Sequence, residues 1–235
     1  MPWVLPNEWG VGGDNEQLGK DVLFGPAKKA TRDLVVSLGK SSYVAVSTSF
    51  WYEWSLSYNY GFGIDLETRH AELFDDGETK ITTSTWPQVG RAVASLLSLP
   101  VHDTSNSGKP SLDKYRNDFV YVSSFRINQK DMLESIYRVT GTSEKDWTFR
   151  SEDVKQRYAN GMAQMKAGNR LGFGRLLYSR VFYPDGSGDM TVGHELQNDV
   201  LGLPEEDLDE YTKLALERSK EPETAGLNAK ARESL

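Results

Sequence analysis

Cysteine is absent from this chain of 235 residues. Its absence excludes disulfide bonds, thiolate nucleophiles and cysteine-ligated zinc, and it is typical of a reducing compartment. We therefore expect a cytoplasmic location. Histidine is scarce too, and His70, His102 and His194 are far apart in the sequence. None has a second ligand at the short spacing that a metal site requires, so the sequence predicts no metal centre.

Positive charge is also in short supply. The chain has 27 lysines and arginines against 34 aspartates and glutamates, which gives a formal net charge of −7. Nucleic-acid phosphates are bound by basic patches, and a membrane-spanning helix needs about 20 consecutive apolar residues. The composition therefore argues against nucleic acid and membrane as partners.

A glycine-rich dinucleotide loop is missing as well. No Gly-x-Gly-x-x-Gly segment follows a predicted strand, and Gly10, Gly12 and Gly13 precede a stretch predicted to be a polar loop rather than a helix. In dinucleotide sites the backbone amides at the start of a helix hold the pyrophosphate. The sequence therefore predicts no pyrophosphate cradle.

The sequence does contain an alternation of strands and helices. Residues 3–6 predict a short buried strand, residues 26–38 a helix, and residues 43–48 a strand covered on both faces. A strand, a helix and a second strand joined by short connections indicate a crossover in a parallel sheet. The apolar stripe of the predicted helix consists of Ala27, Ala30, Leu34 and Leu38.

The later segments are predicted with the same criteria. Residues 73–83 predict a hairpin with a tight turn at residues 75–77, and residues 103–110 predict a polar loop. A further strand is predicted at residues 119–122, and the last third of the chain is predicted to be mainly helical.

Several segments together resemble one protein family. They are Pro6-Asn7-Glu8-Trp9-Gly10, a helix in which Lys28 lies four residues before Arg32, and Tyr43-Val44-Ala45-Val46-Ser47-Thr48-Ser49-Phe50. The segments at residues 119–125 and 180–188 continue the similarity. In this order they resemble the NmrA-like, isoflavone-reductase-like family of atypical short-chain dehydrogenases, in its fungal branch, from residue 2 to about residue 218.

This resemblance implies an α/β fold. The expected architecture is the C-terminal part of a Rossmann-like parallel sheet with flanking helices, plus a smaller, mainly helical substrate-side lobe. Residues 1–218 are expected to form a partial domain of the family. In that domain, residues 2–50 are the remnant of the Rossmann sheet, and residues 51–218 supply the substrate-side lobe and the remaining sheet elements. Residues 219–235 lack an apolar stripe and are predicted to form a frayed tail.

The family places four strands and the glycine loop before the Pro-x-Glu-aromatic-Gly strand. Here that strand begins two residues after Met1. We therefore expect a truncated form that is deficient in cofactor binding.

The resemblance also implies an activity, because active family members reduce small organic, often phenylpropanoid-like molecules with NADPH. It places the catalytic lysine at Lys28, where an ammonium can hold the nicotinamide ribose or lower the pKa of a proton donor. Pro6, Lys28, Ser47 and Ser49 are the implied NADP(H)-binding residues on the nicotinamide side. Without the resemblance, Lys28 is interpreted as an exposed helical lysine.

Phe50, Trp51 and Trp54 form the candidate substrate site. They follow the strand whose carboxyl end faces the ligand cleft in a doubly wound sheet. Aromatic walls suit a large, flat and mostly apolar substrate. Simple packing of these rings within the substrate-side lobe is an equal alternative.

Three hypotheses follow for the function. The first is an NAD(P)H-dependent oxidoreductase-like protein that acts on a small aromatic or organic molecule. The second is a non-catalytic, redox-responsive regulatory or protein-binding member of the same family, with Trp51, Trp54 and Tyr58 as the partner surface. The third is a chain that associates with itself or with another protein through an exposed sheet edge.

Overall fold

The computed structural model describes residues 2–103 and 110–233, so most of the polar loop predicted at residues 103–110 lies outside the described residues. The chain divides into two compact units. The first unit comprises residues 1–50, 82–124 and 190–205, and the second comprises residues 51–81, 125–189 and 206–235. Residues 2–50 therefore share one unit with two later segments of the chain.

Strands are short throughout the described residues. They are β1 (Trp3–Val4), β2 (Ser42–Ser47), β3 (Phe50–Trp51), β4 (Ile64–Asp65), β5 (His70–Phe74), β6 (Ile81–Ser84), β7 (Asp118–Tyr121), β8 (Phe125–Ile127) and β9 (Thr148–Glu152).

Helices connect and cover these strands. They are α1 (Glu16–Asp21), α2 (Gly25–Ser37), α3 (Tyr52–Ser57), α4 (Trp86–Leu97), α5 (Gln129–Thr140), α6 (Val154–Lys166), α7 (Leu171–Val181), α8 (Leu208–Ser219) and α9 (Pro222–Glu233). Within the described residues, none of these helices has the length and apolar character needed to cross a lipid bilayer.

A parallel sheet forms the centre of the first unit. β2 lies between β1 and β7 and runs parallel to both, with Trp3 opposite Ser42 and Val46 opposite Val120. The helices α1 and α2 connect β1 to β2. The predicted α/β class, with a parallel sheet and flanking helices, is confirmed.

The core of the first unit lies between this sheet and α4. Val44 and Val46 of β2 and Val120 of β7 pack with Ala92 and Leu96 of α4, and all five are at most 1% exposed. Residues two apart on a strand share one face of the sheet. The alternate valines of β2 therefore present one continuous apolar surface to the helix.

The helix α2 is confirmed, but its orientation differs from the one that its apolar stripe predicts. Leu34 and Leu38 are 58% and 62% exposed, and Ala27 and Ala30 are exposed as well. The half-buried side of the helix instead carries Lys28 and Arg32. The reason is electrostatic, because both cations meet a buried carboxylate that apolar periodicity does not register.

The second unit contains a three-stranded sheet of mixed direction. β5 pairs antiparallel with β4 and parallel with β9, so that Leu73 lies opposite Ser151. The predicted hairpin between residues 73–74 and 80–83 is therefore wrong. The turn exists, since Gly77 donates to the carbonyl of Phe74 at 3.0 Å, but the backbone of Asp75 donates to Glu152 of β9 at 2.9 Å. The distant strand β9 thus pairs with β5 in place of β6, which is the next strand in the sequence.

Most of the segment predicted to be a frayed tail, residues 219–235, is helical. Residues 222–233 form α9, in which Thr224, Asn228 and Ala231 are buried. The carboxamide of Asn228 donates to the carbonyl of Ser57 at 2.9 Å, and Arg232 donates to Asp65 at 2.6 Å. These anchors are polar, which explains why the missing apolar stripe led to the wrong prediction.

Candidate functional site

A buried glutamate lies at the carboxyl end of β1. Glu8 belongs to the turn that follows this strand, where its backbone N–H donates to the carbonyl of Pro6 at 2.8 Å and its carbonyl accepts from Gly10 at 2.6 Å. The residue is only 2% exposed. A buried carboxylate is costly unless cations or hydrogen bonds compensate it.

Two cations from α2 supply that compensation. The ammonium of Lys28 lies 3.3 Å from Oε2 of Glu8, and the guanidinium of Arg32 donates to Oε1. The ammonium also lies 4.8 Å from the ring centroid of Phe24, and the guanidinium lies 5.0 Å from that of Phe119. The four-residue spacing of Lys28 and Arg32 places both on one face of the helix, so a single carboxylate reaches both.

The electrostatics of this group act on Lys28. Burial of the ammonium lowers the pKa of Lys28 below its usual value, the carboxylate of Glu8 opposes that shift, and the positive charge of Arg32 reinforces it. Its neighbour Lys29 behaves in the opposite way, because its exposed ammonium bonds Asp33 at 2.8 Å and its pKa is raised. The two adjacent lysines therefore differ in their surroundings, because Lys28 is partly buried with a lowered pKa and Lys29 is exposed with a raised pKa.

Lys28 borders two cavities of the first unit. One has a volume of about 260 Å³ and is lined by Val11, Phe24 and Pro26 among others. The other has a volume of about 500 Å³ and includes Pro6 in its lining. Glu8, Phe24 and Lys28 line both cavities. The amine predicted from the sequence thus lies at a ligand-accessible wall.

A second polar cluster anchors the loop at residues 12–15, which lines the smaller cavity. The hydroxyl of Tyr121 donates to Oδ1 of Asp14 at 2.9 Å, and Nε2 of His194 lies 3.2 Å from the same oxygen. The rings of Tyr121 and His194 stack with centroids 4.0 Å apart. A Cβ on Gly13 would lie 2.7 Å from the Tyr121 ring, so the loop approaches this closely only with glycine there. The sequence does not reveal this cluster, because Asp14, Tyr121 and His194 are distant in sequence and share no motif.

The loop also differs from its predicted form. It leads directly into α1, whose first turn is capped by the side chain of Asn15 accepting from Leu18 at 2.9 Å. The prediction that Gly10, Gly12 and Gly13 precede only a polar loop is therefore wrong. The helix escaped detection because it has only six residues.

The two predicted cofactor-binding serines are buried at the end of β2. The hydroxyl of Ser47 donates to the carbonyl of Gly10 at 3.1 Å, and this hydrogen bond links the end of β2 to the turn after β1. Ser49 has a φ of +56° and is 2% exposed. Its Oγ is buried without a hydrogen-bond partner among the described residues. Pro6 and Lys28 border a common cavity, whereas neither serine belongs to the lining of the two cavities described above.

The three predicted substrate-binding aromatics fall into different units. Phe50 is 8% exposed and belongs to the first unit, whereas Trp51 and Trp54 belong to the second. The Trp54 ring lies 4.1 Å from the guanidinium of Arg218 and 5.0 Å from the ring of Tyr58. Trp54 thus has packing partners within its own unit, and the substrate role of the three rings stays a prediction.

Comparison of the sequence with known proteins gives distant fungal relatives, and no family model matches it. The chain is 22% identical over 148 residues to the oxidoreductase aprR of Aspergillus flavus and 24% identical over 168 residues to the oxidoreductase poxI of Penicillium oxalicum. These matches cover 63% and 70% of this chain but 45% and 48% of the relatives. The chain therefore spans about half the length of the curated relatives it matches.

Solved structures share the architecture over nearly the whole chain. Leucoanthocyanidin reductase from Vitis vinifera superposes with a TM-score of 0.62 at 12% identity, covering 92% of this chain and 69% of that one. AtPrR2, solved with NADP+ and (+)-pinoresinol, gives 0.63 at 15% identity, covering 92% and 65%. Isoflavone reductase gives 0.60 at 13% identity, covering 89% and 64%. The chain has an isoflavone-reductase-like fold. The resemblance found in the sequence motifs is thereby confirmed at the level of the fold.

AtPrR2 was solved with NADP+ and leucoanthocyanidin reductase with NADPH, and two groups of described residues in this chain bear on whether such a cofactor fits. Lys28 and Pro6 share a cavity, and the unpartnered Oγ of Ser49 lies at the carboxyl end of β2, where open parallel sheets bind ligands. On the smaller cavity, in contrast, Asp14 and Glu16 contribute carboxylates beside the glycines. Carboxylates repel phosphate groups. The two carboxylates of this loop are therefore unfavourable to a phosphate, whereas the cations Lys20, Lys29 and Arg32 in the same lining oppose that effect.

Proposed function

We propose that this chain is an oxidoreductase-type protein that uses NADP(H) and acts on a small aromatic or other organic molecule, with Lys28 as its catalytic residue. The observation that carries the proposal is the position of the Lys28 ammonium, 3.3 Å from the buried Glu8 carboxylate on a wall shared by two cavities. The two fungal relatives are named oxidoreductases, and leucoanthocyanidin reductase has been solved with NADPH. Both facts support the same class of function.

The role of Lys28 follows from its surroundings. When bound, the nicotinamide cofactor supplies the hydride. Lys28 would donate hydrogen bonds to the nicotinamide ribose or to the oxygen of the substrate, and its lowered pKa would make proton transfer easier near neutral pH. Glu8 and Phe24 hold the ammonium in place from two sides.

The affinity for NADP(H) is expected to be low in this chain. We assign Pro6, Lys28, Ser47 and Ser49 to the nicotinamide side, although only Pro6 and Lys28 line a described cavity, while the Gly12–Asn15 segment contributes Asp14 to the lining of the smaller cavity. We infer a chain that contacts the nicotinamide ribose and leaves the adenosine end largely uncontacted. This uneven contact is measurable without knowing the substrate.

Saturation-transfer NMR with millimolar NADPH tests the cofactor proposal. We expect stronger saturation of the nicotinamide protons than of the adenine protons, and loss of the nicotinamide signal in Lys28→Ala. The matched control is Lys40→Ala, at an exposed lysine outside the lining of both cavities, which should leave the signal unchanged. Equal saturation of both rings, no saturation at all, or an unchanged signal in Lys28→Ala would contradict the proposal.

The substrate class is proposed from the lining of the smaller cavity and from the aromatic residues that follow β2 in the sequence. Val11, Phe24 and Pro26 give the smaller cavity an apolar wall beside the Lys28 amine. Phe50, Trp51 and Trp54 stay the candidate substrate-binding rings. A panel of aromatic ketones and enones, followed by the oxidation of NADPH, checks the activity, and turnover by Lys28→Ala at the parent rate would refute the catalytic role.

Self-association is a second candidate function, favoured by the exposed apolar face of α2. Leu34 and Leu38 are more than half exposed, and among the described strands β1 pairs on one side only, with β2. Exposed apolar patches and open sheet edges mark protein contacts. We propose that a second copy of the chain covers this face, rather than a regulatory partner.

Sedimentation velocity tests the self-association. The expected result is a dimer that Leu34→Asp dissociates. Leu97→Asp, at a leucine of α4 that is 56% exposed, serves as the control and should leave the dimer intact. A wild-type chain that stays monomeric at high micromolar concentration would refute the proposal.

A further inference from the structure

Lys28 is accessible and borders a cavity with an apolar wall, and both features suit a nucleophilic amine. Its side chain is 20% exposed, so it remains accessible, and it borders a cavity of about 260 Å³. That volume lies just below the range of about 300–1,000 Å³ usual for ligand pockets, which suits a compact ligand. The apolar residues of the wall, Val11, Phe24 and Pro26, suit a ligand with an aromatic or aliphatic body.

A proton acceptor lies beside the amine. Oε2 of Glu8 is 3.3 Å from Nζ of Lys28, close enough for the proton to pass with a small movement of the side chain. The guanidinium of Arg32 bonds the other carboxylate oxygen and fixes its direction. An amine, a carboxylate and a cavity with an apolar wall beside charged groups are suited to condensation with a carbonyl compound.

We propose that Lys28 is an imine-forming lysine, which condenses with aldehydes or reactive ketones held in the smaller cavity. The ammonium first passes a proton to Glu8. The amine then attacks the carbonyl carbon, a C–N bond forms, and a proton moves from the nitrogen to the former carbonyl oxygen, which becomes a hydroxyl. Glu8 returns its proton to this hydroxyl, which leaves as water while the C=N bond forms on the nitrogen that still carries one proton. The sum is one ammonium and one carbonyl compound giving one protonated imine and one water, with Glu8 again a carboxylate.

The electrostatics of Lys28 support the same chemistry. Only the neutral amine attacks a carbonyl carbon, and burial lowers the pKa of Lys28, which enlarges the neutral fraction at a given pH. The pKa of Lys29 is raised by its bond to Asp33. The chain therefore carries a built-in comparison between two adjacent lysines.

This activity is separate from nicotinamide chemistry. Imine formation needs no nucleotide, so it stands even if the NADPH experiment fails. Conversely, NADPH binding that depends on Lys28 does not require an imine. The two proposals therefore fail in distinguishable ways.

The experiment is reductive trapping of the full chain with benzaldehyde and cyanoborohydride, which supplies the hydride that turns the imine into a stable secondary amine. Intact-mass and peptide analysis then give the labelling rate of each lysine. We expect Lys28 to be labelled at least severalfold faster than Lys29 at pH 7. The rate at Lys28 should also reach its plateau at a lower pH.

Variants separate the roles of the residues. Lys28→Arg should remove the fast adduct while keeping the charge beside Glu8, and Lys29→Arg should leave it unchanged. Glu8→Asp, which keeps the carboxylate but retracts it, should slow the trapping at Lys28 without changing the rate at the exposed Lys20. Labelling of Lys28 at or below the rates of Lys29 and Lys20, with the wild-type chain folded, would overturn the proposal.

Discussion

Glu8→Gln is the most informative perturbation of this chain. It removes the buried negative charge and leaves two cations, Lys28 and Arg32, beside a neutral amide. Removing one partner of a fully buried ion pair costs about 3–5 kcal/mol. Here the side chains of Lys28 and Arg32 are 20% and 13% exposed, so water recovers part of that cost. We expect a loss of about 2–3 kcal/mol at pH 7 and a fall in Tm of roughly 4–12 °C.

The pH dependence of this loss is the sharper test. Burial lowers the pKa of Lys28 in the folded chain below its ordinary value of 10.5. Between the folded pKa and 10.5 the unfolded chain binds more protons, so the stability contributed by this group rises with pH. Glu8→Gln removes an interaction that raises the pKa of Lys28, so this window extends to lower pH. The deficit of the variant should therefore shrink as the pH rises toward 10.5, because a neutral amine no longer needs the carboxylate.

Urea unfolding of the wild type and Glu8→Gln at a series of pH values measures this difference. Glu16→Gln is the matched control, since Glu16 pairs with Lys20 at 3.7 Å on the exposed surface of α1. Exposed pairs of this kind contribute about 0–1 kcal/mol. A deficit in Glu8→Gln no larger than that of the control, or one that stays constant up to pH 10, would refute the electrostatic account of the site.

Two further predictions concern the structure around the site and the end of the chain. Gly13→Ala should destabilise the first unit by about 1–3 kcal/mol, because its Cβ would meet the Tyr121 ring at 2.7 Å and its φ is +48°. Gly10→Ala, whose Cβ meets no atom within 4 Å, is the control in thermal unfolding, and equal effects of the two variants would contradict the close approach. Arg232→Ala should cost roughly 1.5–3 kcal/mol at pH 7, because Arg232 donates to both carboxylate oxygens of Asp65. The pKa of Asp65 is lowered from 3.8 to about 2, so the contribution of Asp65 is present above pH 3.8 and is lost as the pH falls toward 2. Acid titration should show the Arg232→Ala deficit shrinking across that window, and a deficit independent of pH there would contradict the assignment.

Local sequence patterns predicted the parts of the molecule that depend on neighbouring residues. The β-favouring run at residues 43–48, with few polar residues before its end, predicted a strand covered on both faces, and Val44 and Val46 of this strand lie against α4. The spacing of Glu8, Lys28 and Arg32 within a family motif singled out the amine that the fold places at a cavity wall. The strand prediction is confirmed, because strand patterns are set by a few consecutive residues, whereas the role of Lys28 was implied by the family resemblance and stays a prediction.

Only the tertiary structure decided which groups meet across long separations. The orientation of α2 depends on the buried Glu8, which attracts the cationic side of the helix and leaves Leu34 and Leu38 exposed. Asp14 meets Tyr121 across 107 positions, and Arg232 meets Asp65 across 167. Such contacts form because a buried charge or hydroxyl must find a partner wherever the chain supplies one. Hydrophobic periodicity depends only on the spacing of apolar residues, so it does not register the partners of polar groups. It therefore predicted helices and strands of this protein, but not the polar contacts around Glu8 or those that anchor α9.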